Sequence, residues 1–98
     1  MATAKLVTIV AESVLRDRLI RDIKELGASG FTESWVRGEG SRGRRTVELE
    51  AQNVQIDTLV SSEVAQKILQ KVSDAYFEHF AIIAYARDVE ILREEKYL

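Results

Sequence analysis

The chain has 98 residues, a net charge of −2 and neither cysteine nor proline, which leaves room for one hydrophobic core at a size where burial only just outweighs chain entropy, so oligomerisation would help. The slight acidity argues against a general nucleic-acid binder, whose basic surface exchanges for phosphate counterions, and the absence of cysteine excludes disulfides and thiolate metal sites. The N-terminal apolar run LVTIVA is far shorter than the ~20 residues of a membrane span and lacks the basic flank and cleavage site of a signal peptide, so a soluble cytoplasmic protein is expected.

KLVTIVA, Lys5 to Ala11, is β-branched and almost continuously apolar, as a central strand covered on at least one face should be. In the next segment Leu15, Leu19, Ile23 and Leu26 recur at helical spacing, with Ser13 placed to cap and Gly27 to stop. FTESWVR alternates, so Phe31, Glu33, Trp35 and Arg37 share one face of a second strand. In TVELEAQNVQIDTLV the apolar phase of Val47, Leu49 and Ala51 slips by one to Val54 and Ile56, which predicts a bulge or loop tip near Gln52 and Asn53.

From Ser61 to about Phe80, Val64, Ile68, Val72 and Tyr76 form the stripe of a second helix. AIIAYARDVEIL supplies a last strand, and REEKYL a charged tail. The order strand, helix, strand, strand, helix, strand is that of a split βαβ α+β sandwich in one domain, residues 1–98. Both helices cover one sheet face, and the other must be buried by ligand, loop or another subunit.

The chemistry concentrates in GFTESWVRGEGSRGRR, Gly30 to Arg45. Gly38, Gly40 and Gly43 let backbone N–H groups approach an oxyanion. Ser41 adds a hydroxyl, and Arg42, Arg44 and Arg45 add guanidinium forks suited to phosphate. The segment lacks the lysine of a phosphate-binding loop and opens no helix. Composition alone leaves two readings level, an anion site and a solvated loop.

His79 is the single histidine, and it is read as a helix-end residue in preference to a metal ligand. Phe31 and Trp35 present either a base-stacking platform or, as the favoured reading, a surface buried at a subunit interface. Glu39 is a lone carboxylate without a paired base or nucleophile, so no catalytic residue and no metal site are assigned.

The run Gly30 to Arg42 resembles the second strand and T-loop start of PII and PII-like signalling proteins, with its Gly-x-Thr opening and Gly-x-Gly close. The run YFEHFAIIAYARDVEIL is similar to the end of the second helix, B-loop and last strand of the PII-like group associated with bicarbonate transporters and carboxysomes. The resemblance spans essentially the whole chain. It implies a ferredoxin-like βαββαβ sandwich with a T-loop at about residues 38–53, assembled as a homotrimer with the sheets inward.

It further implies adenine-nucleotide binding (AMP, ADP, ATP or cyclic AMP) in clefts between subunits. Gly30, Phe31 and Thr32 would line the adenine. Gly38, Glu39, Gly40, Ser41 and Arg42 would line the phosphates, joined by Arg44 and Arg45, and the neighbouring subunit would supply the backbone of Ala81, Ile82 and Ile83.

Arg42 stands where the PII proteins it resembles carry a glutamine that helps hold magnesium and 2-oxoglutarate, and no tyrosine lies between Arg37 and Val60. Neither 2-oxoglutarate sensing nor T-loop tyrosine modification is therefore expected. The chain also ends without the glycine- and cysteine-bearing redox loop of some relatives, so redox control tied to that loop is not expected either.

The resulting expectation is a regulator, not an enzyme, with no tightly bound cofactor and with bicarbonate as a second candidate ligand. Nucleotide would order the T-loop, and the loop would contact a regulated protein such as a membrane transporter, which would recruit it to the membrane. No nucleic-acid partner is expected. The alternative is a single-stranded nucleic-acid module reading bases with Phe31 and Trp35 on an open sheet, and a small phosphatase on the same fold ranks last.

Overall fold

The computed structural model describes residues 2–38 and 52–98. Strand β1 spans Ala2–Glu12 and outruns the expected Lys5 to Ala11. It is held along both edges, by β3 (Asn53–Val60) and by β4 (Ile83–Ile91). With β2 (Thr32–Val36) the sheet is antiparallel throughout, in the order β2-β3-β1-β4.

Helix α1 covers Arg16–Leu26 and α2 covers Ser62–Tyr76. The βαββαβ order and this strand order are those of the ferredoxin-like sandwich, with a short helix α3 (Glu94–Tyr97) appended.

Local signals account for most boundaries. The Ser61 hydroxyl accepts from the Val64 N–H at 3.2 Å and caps α2. Gly27 ends α1 with φ 124°, a conformation that L side chains rarely adopt.

Two expectations need correction. Ser13 does not cap α1, because the chain leaves β1 through a 3-10 turn at Ser13–Leu15 and the α-helix starts only at Arg16, without any side-chain cap. Helix α2 stops at Tyr76 instead of running to Phe80, and the N–H groups of His79 and Phe80 both bond back to the Tyr76 carbonyl in a closing turn.

Asn53 lies in the regular ladder, paired with Val36 and with Glu12, and Gln52 lies just outside it. The phase of Val47, Leu49 and Ala51 falls outside the described residues.

The core sits between sheet and helices. Val7, Ile9 and Ala11 of β1 with Val54, Ile56 and Val60 of β3 meet Leu19 and Ile23 of α1 and Ala65, Ile68, Val72 and Tyr76 of α2. Fully burying one Val, Leu or Ile side chain is worth about 1.5–3 kcal/mol, so this layer dominates the stability of one chain.

Among the described residues no helix covers the opposite sheet face. Leu6, Val10 and Leu59 are half-buried there, while Ile83 and Tyr85 remain 56% and 47% exposed. In the middle of this apolar face, the Thr8 hydroxyl donates to Asp57 Oδ1 at 2.6 Å and Gln55 Nε2 donates to Oδ2 at 3.1 Å. The Asp57 carboxylate is thereby satisfied within the chain.

Candidate functional site

Strand β2 positions the first group of candidate residues. Gly30 and Phe31 lead into it, Thr32 opens it, and Arg37 and Gly38 follow its end. The start is pinned from inside, because the buried Thr58 hydroxyl donates to the Gly30 carbonyl at 2.6 Å. The Phe31 ring packs against the core and carries the Lys24 ammonium 5.5 Å from its centroid. What this corner leaves open is the backbone at Gly30 and the exposed side of Thr32.

The glycines themselves are informative. Among the described residues, a Cβ built at Gly30 or at Gly38 would meet nothing within 4 Å, and neither residue has a positive φ. Neither packing among the described residues nor backbone conformation therefore calls for glycine at these two places. The free volume is what a closely approaching ligand or second chain would use.

Halfway along β2 stands an ion pair that periodicity alone does not reveal. Arg16, the first residue of α1, donates from Nε to Glu33 Oε1 at 2.6 Å and from Nη2 to Oε2 at 2.9 Å, while Nη1 reaches Asp17 Oδ1 at 2.7 Å. The hydrogen bonds from Arg16 hold the Glu33 carboxyl below its ordinary range, and those to Glu33 and then Asp17 raise the guanidinium pKa further. The sequence signal was only a charged residue in phase with Phe31 and Trp35, and the inward side it faces is set by the pairing of Glu33 with Ile56. Arg16 lies 17 positions away.

Register corrects the base-stacking alternative. Glu33 pairs with Ile56 and Trp35 with Val54, both core residues, so Phe31, Glu33 and Trp35 lie on the helix side of the sheet. The open face receives Thr32, Ser34 and Val36 instead. Phe31 and Trp35 therefore form no platform there, and Trp35 stands 53% exposed on the sheet's β2 edge.

Ala81, Ile82 and Ile83 lead into β4, on the other edge. Ile83 shares a row with Val10, Gln55 and Ser34, which puts it three strand spacings, about 14 Å, from β2. One chain does not bring the two groups together. Glu39, Gly40, Ser41, Arg42, Arg44 and Arg45 lie outside the described residues.

His79 sits in the turn after α2 with an exposed side chain, 3.9 Å from Glu78 Oε1. Among the described residues no three His, Cys, Asp or Glu side chains converge as metal ligands. Nor is any described helix long and apolar enough to cross a membrane.

The family model for nitrogen regulatory protein P-II matches residues 4–96. The chain belongs to the P-II family. Among solved structures, it is 52% identical to a Thermus thermophilus protein assigned to the PII-like signaling proteins, over 99% of this chain and 97% of that one, with a TM-score of 0.86.

It also shares its fold with CPII, a nitrogen regulatory PII-like protein from Thiomonas intermedia K12. The CPII structure bound to ADP and bicarbonate superposes with a TM-score of 0.86 at 20% identity, over 98% of this chain and 95% of that one. The one bound to ADP, AMP and acetate gives 0.84 at 18%, over the same shares of the two chains. The expected P-II membership and the ferredoxin-like fold are thus both found.

Proposed function

We propose that this P-II family chain is a signalling protein that binds an adenine nucleotide in clefts between the subunits of a homotrimer and passes the signal to a partner through its T-loop. The observation that carries the reading is the split of the candidate residues over opposite sheet edges. Gly30 to Gly38 border β2 and Ala81 to Ile83 border β4, so a cleft using both needs two copies of the chain.

The uncovered apolar sheet face supplies a reason to assemble, since burying Ile83 and Tyr85 removes large apolar surface from water. The room at Gly30 and Gly38 accommodates a ligand between the copies. Arg42, Arg44 and Arg45 then serve the phosphates, with Gly40 and Ser41 beside them. CPII, of the same fold, is described bound to ADP, AMP and bicarbonate, which supports an adenine nucleotide as the ligand and bicarbonate as a second one. On this reading the chain is a cytoplasmic regulator without catalytic residues, and its partner is a protein such as a membrane transporter.

The test is calorimetric titration of the wild-type chain and of Arg42→Ala with AMP, ADP, ATP and cyclic AMP, with and without bicarbonate. Loss of a charge-assisted phosphate contact weakens binding by about 1.5–3 kcal/mol, or about 10- to 150-fold. No heat from any nucleotide at millimolar concentration would sink the nucleotide reading, and an unchanged affinity in the variant would remove Arg42 from the site.

A further inference from the structure

We infer that Arg87 of one copy meets Asp57 of the next across the open sheet face, an ion pair that sets how neighbouring chains dock; this deepens the homotrimer proposed above and rests on it. Strand pairing puts Thr32, Asp57, Thr8 and Tyr85 in one row of that face and Leu59, Leu6 and Arg87 in the row beside it. Asp57 is half-buried there, with its two oxygens bonded by the Thr8 hydroxyl and the Gln55 amide.

Both donors are neutral, so they hold the carboxylate in place without cancelling its charge. Each oxygen keeps a lone pair for a further donor. A second chain laid over this face takes the charge out of water, and a buried carboxylate is tolerated when a cation comes with it and its hydrogen bonds stay complete.

Among the described strand residues, Arg87 is the one cation on the open face. It is exposed, and among the described residues no carboxylate lies within ion-pair distance of it. Lys5 and Asp88 pair with each other on the helix side, in the phase of Val7. Within one chain Arg87 is kept from Asp57, because β1 runs between their strands with Leu6 and Thr8 interposed. The two backbones are about 9.5 Å apart across the sheet and about 7 Å apart along it.

Three copies around one axis meet through unlike patches, each interface joining one side of a chain to the other side of its neighbour. Arg87 lies on β4, into which Ala81 and Ile82 lead, and Asp57 lies on β3 beside β2. The two charges are thus divided over the sheet in the same sense as the two halves of the proposed cleft. Docking the β4 side of one chain against the β2–β3 side of the next brings both sets together, and a planar guanidinium suits the two remaining lone pairs of the carboxylate. Glu12, the other described carboxylate of the face, stands at the rim, at the end of β1 and beyond its last pairing with β4.

The test is a double-mutant cycle on assembly in the wild type, Arg87→Gln, Asp57→Asn and the double variant. Dissociation is followed by light scattering over a dilution series, in the urea concentration that half-dissociates the wild type. Asparagine keeps an acceptor for Thr8 and position 87 is exposed, so the fold should survive, which circular dichroism in the same urea checks. Each single change is expected to raise the dissociation constant per interface about 10-fold or more, as for a lost charge-assisted contact. The double variant should be no weaker than the weaker single one, because both changes remove the same contact. Glu12→Gln combined with Arg87→Gln is the control, and there the effects should multiply.

Effects of Arg87→Gln and Asp57→Asn that multiply, no effect of either, or coupling of Arg87 to Glu12 instead would overturn the ion pair and leave the proposed trimer standing. A wild type that stays monomeric at every concentration would overturn the pair and the proposed assembly together.

Discussion

Tyr76, at the end of α2, donates its phenol to Asp22 Oδ2 of α1 at 2.5 Å, while the Arg18 guanidinium lies 4.8 Å from the ring centroid. The ring is 1% exposed, so the pair ties the two helices where they leave the sheet. Replacing Tyr76 by Phe keeps the ring and removes the donor, while Asp22, half-buried, can turn to water. Tyr76→Phe is expected to lower unfolding stability by about 1.5–3 kcal/mol in urea melts with an unchanged slope, as for one bond to a charged acceptor.

The same pair sets a pH dependence. Burial first, and the bond to Asp22 second, push the Tyr76 phenol up to about 12, against a small opposing effect of Arg18. A phenol that ionises later in the folded chain than in the unfolded one, at about 10, favours folding fully below the lower value. That contribution is lost as pH rises through the window from about 10 to about 12. Stability followed by circular dichroism should fall more steeply there in the wild type than in Tyr76→Phe. Parallel curves would mean that the phenol ionises freely.

Thr58→Val tests how the start of β2 is held. Valine keeps the shape inside the core and removes the donor to Gly30, whose carbonyl then loses its bond. The expected cost is about 1 kcal/mol, together with weaker nucleotide binding, because Gly30 and Thr32 are no longer pinned. A stability loss with unaltered affinity would make the Gly30 turn a structural element only.

These two bonds also mark how far the sequence could be read. Ser61 and Gly27 were legible because a cap and a stop act within a few residues. Ser13 misled for the same reason: a serine before an apolar stripe looks like a cap, and the 3-10 turn that intervenes depends on how β1 meets the helix layer.

The alternation of Phe31, Glu33 and Trp35 was legible, but the side they face was not. That side is fixed by pairing with Val54 and Ile56, across a segment whose length carries no register. Thr58 showed itself as a polar residue in the inward phase of Val54, Ile56 and Val60, and only the fold supplied Gly30 as its acceptor. The proposed phosphate role of Gly40 to Arg45 rests on the resemblance, since these residues share a composition with any solvated basic loop.

Gly27→Ala is the substitution whose cost is clearest. At φ 124° an L residue is strained, and the new Cβ would stand 3.0 Å from Val64 Cγ2 on α2. Strain at such a backbone position costs of the order of 1–3 kcal/mol, and the close contact adds to it by pressing α1 and α2 apart. Thermal melts should show a fall in midpoint well beyond that of an exposed Gly→Ala change. A midpoint at or above the wild-type value would mean that the turn relaxes out of its positive φ.

Tyr85→Glu addresses assembly. Tyr85 lies on the open face beside Thr8, which itself adjoins Asp57 in the row. The existing carboxylate is tolerated because Thr8 and Gln55 satisfy both of its oxygens. A glutamate at position 85 would bring a second negative charge toward Asp57 and beside the apolar pair of Ile83 and Val10, with Arg87 on the same face as its one cationic neighbour along β4. In one chain the position is 47% exposed, so the fold should survive. In a trimer packed through this face the charge would be taken from water, which costs several kcal/mol per interface unless it is fully paired.

Light scattering after gel filtration is therefore expected to give a trimer for the wild type and a folded monomer for Tyr85→Glu, with nucleotide binding lost along with the shared cleft. A variant that remains trimeric would place the subunit contacts elsewhere, on the edges of β2 and β4 and not on the sheet face.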